Sequence, residues 1–71
     1  MTLFYIPTLP AHWVAQDAQV ALWLLDTAPG AWQRRRPYTG PSTALRPVQP
    51  ASAGRIALTL AGAPTGAPTG A

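Results

Sequence analysis

Residues 11–26 read AHWVAQDAQVALWLLD, and whether this stretch coils or extends decides the fold. On a wheel at 100° per residue, His12, Gln16, Gln19 and Asp26 fall in one narrow sector, with Val14, Ala18, Ala21 and Leu25 opposite. Pro10 suits a helix entry, and the TAPG at 27–30 supplies a stop. The periodicity therefore predicts a helix over 11–26. Two residues fit it poorly, because Trp23 falls in the polar sector and Asp17 falls outside it. The rival is a strand over 18–25, where Ala18, Val20, Leu22 and Leu24 alternate, although Ala21, Trp23 and Leu25 spoil the polar half of the pattern.

Outward from this stretch, TLFYI at 2–6 is β-branched and aromatic and is closed by Pro7, the pattern of a short strand or extended arm. Residues 27–54 carry five prolines and three glycines without an apolar period. A connection of that length is expected to be an extended arm with polyproline II geometry and turns. In RIALTLAG, 55–62, Ile56, Leu58 and Leu60 alternate with smaller residues, which predicts a strand that pairs with TLFYI or adds to a neighbour's open sheet edge. The chain closes on an Ala-Pro-Thr-Gly repeat, residues 63–71, with the composition of a low-complexity tail. The expected fold is thus a small α+β chain of low regularity: N-terminal strand and central helix in 1–26, arm in 27–54, strand in 55–62, tail in 63–71. A mostly extended chain with 18–25 as strand is the alternative.

Composition limits what such a chain does. At 71 residues it buries only about 60% of its unfolded surface and forms at most one structural unit. It has no cysteine, one histidine, and two acidic residues, so neither a disulfide framework nor a protein-only zinc cage is available, and no cofactor or metal site is expected. The apolar share of 48% leans on alanine, which buries little area. The stabiliser left to such a chain is a partner. Alanine, proline, glycine and arginine, all with GC-rich codons, make up close to half the residues; lysine is absent, and the net charge is +3. The aspartates at 17 and 26 bracket too short an apolar run to cross a bilayer, and no basic region precedes the first residues, so a soluble, cytoplasmic or virion-associated chain without a signal peptide is expected.

The motifs point to contact rather than chemistry. Trp32, Arg34, Arg35, Arg36 and Tyr38 combine guanidinium forks with aromatic faces, as anion sites do, but in an extended arm consecutive side chains diverge. PTLP at 7–10 and PVQP at 47–50 match the spacing read by aromatic grooves. On a helix His12 pairs with Gln16, far from Asp26, and neither serine (42 or 52) sits in a nucleophile elbow, so no catalytic residue is expected. The expected role is a small structural or accessory subunit, for example a minor bacteriophage virion protein, that becomes ordered in a larger protein assembly through strand addition and its arm, and lacks a cooperative unfolding transition when isolated. Its expected interface comprises Trp13, Trp23, Leu24, Trp32, Arg34, Arg35, Arg36, Tyr38, Arg46, Ile56, Leu58 and Leu60, since tryptophan and arginine dominate binding hot spots. The second reading is a nucleic-acid-associated protein whose arginine-rich arm, with Arg46 and Arg55, follows a phosphate backbone and releases it as salt rises.

Overall fold

A computed structural model of the chain describes residues 2–62; the expected tail at 63–71 lies outside them. The architecture is α+β and rich in strand. Five antiparallel strands, β1 (Thr2–Tyr5), β2 (His12–Gln16), β3 (Leu22–Asp26), β4 (Arg36–Pro37) and β5 (Arg46–Pro47), form one sheet in the order β4-β3-β2-β1-β5, followed by one helix, α1 (Pro50–Leu60).

The expected strand in TLFYI forms as β1. The helix expected over 11–26 does not: the stretch folds into a hairpin of β2 and β3, with Trp13 opposite Leu25 and Ala15 opposite Trp23. The reason lies in the turn, which contains neither glycine nor proline and is organised by Asp17 instead. Its carboxylate Oδ1 accepts the amides of Gln19 and Ala21, each at 2.9 Å, while the Val20 amide donates to the Asp17 carbonyl at 3.0 Å. An aspartate that satisfies the backbone two and four residues on competes directly with a helical continuation. Val20, at φ 65°, takes up the left-handed conformation that reverses the chain, a costly one for a β-branched residue.

The strand expected over 55–62 is likewise corrected, to helix. Pro50 stands in the first turn, where its missing amide costs nothing, and Gly62, at φ 81°, ends the helix by donating to the Thr59 carbonyl at 3.0 Å. At helical spacing Ala53, Ile56 and Leu60 share a face and pack on the sheet, leaving Leu58 half in solvent. The alternation of Ile56, Leu58 and Leu60 is thus a by-product of a wider helical pattern. Residues 55–60 are helical and are not one of the sheet's five strands.

Residues 27–54 are not a free arm. They contain a short 3-10 helix at Ala31–Arg34 that packs on β3, both edge strands, a second 3-10 helix at Ser42–Ala44, and the start of α1. Because β4 and β5 lie at opposite edges, residues 38–45 carry the chain from one side of the sheet to the other.

The register sorts the side chains. Leu3, Ala15 and Trp23 form one cross-strand row and Tyr5, Trp13 and Leu25 the next, both on the face covered by α1 and the first 3-10 helix. There Leu3, Ala15, Leu25, Ala31 and Leu60 make the core cluster, flanked by Trp13, Trp32, Val48, Ala53 and Ile56. Phe4, Val14 and Leu24 make a row on the reverse face, where Val14 is completely buried. In the crossing segment 38–45, Ala44 and Leu45 are half-buried.

Candidate functional site

A groove of about 650 Å³ opens beside α1, on the face that carries Tyr5 and Trp13. Each wall has a separate origin. The ladder sets Tyr5 directly across from Trp13, so their rings share one face, and Pro7 and Pro10 come from the β1–β2 turn. Pro47, Val48 and Gln49 lead out of β5, and Ser52 and Ile56 come from α1. Trp13 rests its inner edge on the core cluster, whereas Tyr5 is 41% exposed. The walls are thus two aromatic rings, three prolines and two aliphatic side chains, with only Gln49 and Ser52 as amide or hydroxyl groups besides the tyrosine oxygen. Such a surface binds by burying apolar area and stacking rings, with few hydrogen bonds to set orientation.

Two cations are its neighbours, one in strand register and one in sequence. Arg46 is opposite Tyr5 in the ladder, with its guanidinium donating to the Thr43 and Leu45 carbonyls, and Arg55 is exposed on α1, three residues beyond Ser52. Neither has a carboxylate partner among the described residues, where the one ion pair joins Arg34 and Asp26 at 3.5 Å.

At the far end of the same face lies a polar clamp. The Trp23 indole N–H donates to Asp17 Oδ2 at 2.8 Å, and the Arg35 guanidinium sits 5.2 Å from the Trp23 ring centre. The indole bond, then the Ala21 amide, hold the Asp17 carboxyl below its usual range, with smaller help from the Gln19 amide and the Arg35 charge against the opposing effect of burial.

The structure disperses the arginine-rich motif. Arg34 reaches Asp26 and the Pro29 carbonyl, Arg35 covers Trp23 and donates to the Trp32 carbonyl, and Arg36 stands exposed on the sheet edge opposite Leu24. The aromatics of the motif are engaged within the domain. The Trp32 N–H donates to the Ala57 carbonyl at 3.3 Å and joins the first 3-10 helix to α1. The Tyr38 hydroxyl donates to the Pro41 carbonyl at 2.8 Å, over Gly40, where a Cβ would stand 2.5 Å from that hydroxyl.

Of the residues expected at an interface, Trp13 and Ile56 enter the groove and Arg46 borders it. Leu60 is core, Leu24 belongs to the reverse face, and Leu58 lies exposed on α1. Tyr5, Pro7, Pro10, Pro47, Val48, Gln49 and Ser52 were not among them. Their signal was present in PTLP and PVQP: three of these prolines build the wall of a groove instead of being a ligand for one. The hairpin also brings Asp26 across the ladder from His12, which a helix would have kept apart. No bond joins them; Asp26 accepts the Ala28 amide and Arg34, and His12 Nδ1 is buried without a partner among the described residues.

Among the described residues no three histidine or acidic side chains gather as a metal site, and no helix is long and apolar enough to cross a membrane. No protein family, curated protein or solved structure matches this chain.

Proposed function

We propose that this chain is a small accessory or structural subunit that works by protein–protein contact within a larger assembly, as a minor virion protein does, and that the groove beside α1 is its contact site. The groove's lining supports this role, with Tyr5, Trp13 and three prolines at the surface of a domain this small. Aromatic side chains set in apolar surroundings are the usual anchors of an interface. The domain acts by binding and not by catalysis.

The core supports a dependence on partners. Leu3, Ile6, Val14, Leu25 and Leu60 are the only side chains larger than alanine that are buried among the described residues. Cores of that size rarely yield more than about 3–5 kcal/mol. A partner present at a hundred times its dissociation constant adds about 2.7 kcal/mol. Nucleic acid draws less support, because Trp32 and Tyr38 are engaged internally and the consecutive arginines face different ways.

A photo-crosslinking amino acid at Tyr5, installed in cells that make the protein and compared with one at Ser42, tests the proposal. Discrete protein adducts from position 5 and not from position 42 are expected. Equal yields from both positions, or nuclease-sensitive adducts, would overturn it.

A further inference from the structure

We infer that the groove receives an extended, proline-containing peptide segment that carries acidic side chains. The inference rests on the groove being a protein contact site and names the chemistry of what enters it.

The lining selects the backbone form. Pro7, Pro10 and Pro47 have no amide hydrogen, and the polar side chains of the lining are those of Gln49, Ser52, Tyr5 and Trp13, so the walls offer no ladder of backbone donors to a β-strand. A polyproline II segment needs none: its backbone stays solvated, it loses little entropy on binding, and its proline rings stack on aromatic side chains such as Tyr5 and Trp13. The sheet edges point the same way. Both outer strands are the dipeptide Arg-Pro, at 36–37 and 46–47, and a charge beside a proline on a two-residue edge discourages strand addition.

Charge selects the side chains. Arg46 stands across the ladder from Tyr5 and Arg55 is exposed on α1 next to Ile56, and both carboxylates of the described domain are committed elsewhere, Asp17 to Trp23 and the turn amides, Asp26 to Ala28 and Arg34. A glutamate or aspartate on the entering segment supplies the anion the rim lacks and forms charge-assisted hydrogen bonds with these guanidinium groups.

Calorimetric titration of the full chain at low salt with three synthetic peptides tests this. The first has proline at every third position and two flanking glutamates; the second replaces the glutamates with lysines; the third keeps the glutamates and replaces the prolines with alanines. Binding of the first is expected, with the other two weaker by at least about tenfold. Tyr5→Ala is expected to weaken the first by about tenfold with the Trp23 indole N–H resonance unchanged. The double variant R46E/R55E is expected to reverse the preference toward the lysine peptide. Equal binding of glutamate and lysine peptides, equal binding of the alanine peptide, or no binding of the first would each overturn the inference. If the first peptide fails while crosslinks from position 5 persist, the occupant is wrong and the contact site stands; if both fail, the functional proposal falls too.

Discussion

Trp13 and Trp23 sit on neighbouring strands, face the same side of the sheet and come from one hairpin, yet they do opposite things. Trp23 is fully occupied: its N–H is held by Asp17, and its ring lies under Arg35. Trp13 makes no side-chain hydrogen bond among the described residues and turns one edge into an open groove beside Tyr5. Residue type and sheet face therefore do not set a role; the neighbours do. Where a carboxylate and a guanidinium converge, the indole is a structural clamp. Where only prolines and a tyrosine converge, it remains available.

The contrast breaks most completely if the shared floor is removed. Leu25 is 1% exposed and lies across from Trp13 in the register. Leu25→Ala is expected to cost about 2–5 kcal/mol, enough to unfold most of a domain this small, and loss of the native circular dichroism spectrum at 25 °C checks it. Next in size is the clamp alone. Trp23→Phe and Trp13→Phe trim the same part of an indole, but only the first deletes a bonded N–H, so the melting temperature is expected to fall by several degrees for Trp23→Phe and by less for Trp13→Phe.

Acid sharpens the same comparison. The Asp17 carboxyl titrates below its ordinary value of 3.8 in the folded chain, so its ionised form favours the folded hairpin. That stability is complete above the ordinary value and drains away as pH falls past it toward the lower folded value. The indole N–H resonance of Trp23 should shift across that range and that of Trp13 should not, and Asp17→Asn should abolish the pH-linked part. The smallest effect is at the hairpin tip. Val20→Asn places a residue tolerant of positive φ at an exposed position, and chemical denaturation should show a gain of about 0.5–1 kcal/mol with the groove unaltered.

How much of this was legible in the sequence depends on the segment. The strand in TLFYI was, because aromatic and β-branched residues ending at Pro7 leave few alternatives. The 11–26 hairpin was not, because its alanines and alternating polar residues satisfy periods of 3.6 and 2 about equally well. Yet the two residues that fit the helical wheel worst, Asp17 and Trp23, are the two whose side chains bond across the hairpin. A polar residue on an apolar face and an aromatic on a polar one, six positions apart, signal a turn between them. Helix α1 carried its boundaries in Pro50 and Gly62, but the alternation of Ile56, Leu58 and Leu60 spoke louder than its caps. As for the site, PTLP and PVQP marked the right residues with the wrong role, because spacing alone cannot say whether a proline pair is the ligand or the wall.

By its composition the chain's sequence excludes a disulfide or thiolate site, since it holds no cysteine. It also placed β1 and the breaks at the prolines, because local sterics act on the residue that carries them. Tertiary structure alone decided which segment coils and which extends, since both carry apolar residues at ambiguous spacing and only packing on a common core separates the two periods. It alone placed Tyr5 beside Trp13, set Arg46 across from Tyr5, and turned Arg34, Arg35 and Arg36 in different directions. Those are relations between distant residues, and strand register and helix docking create them where no local pattern does.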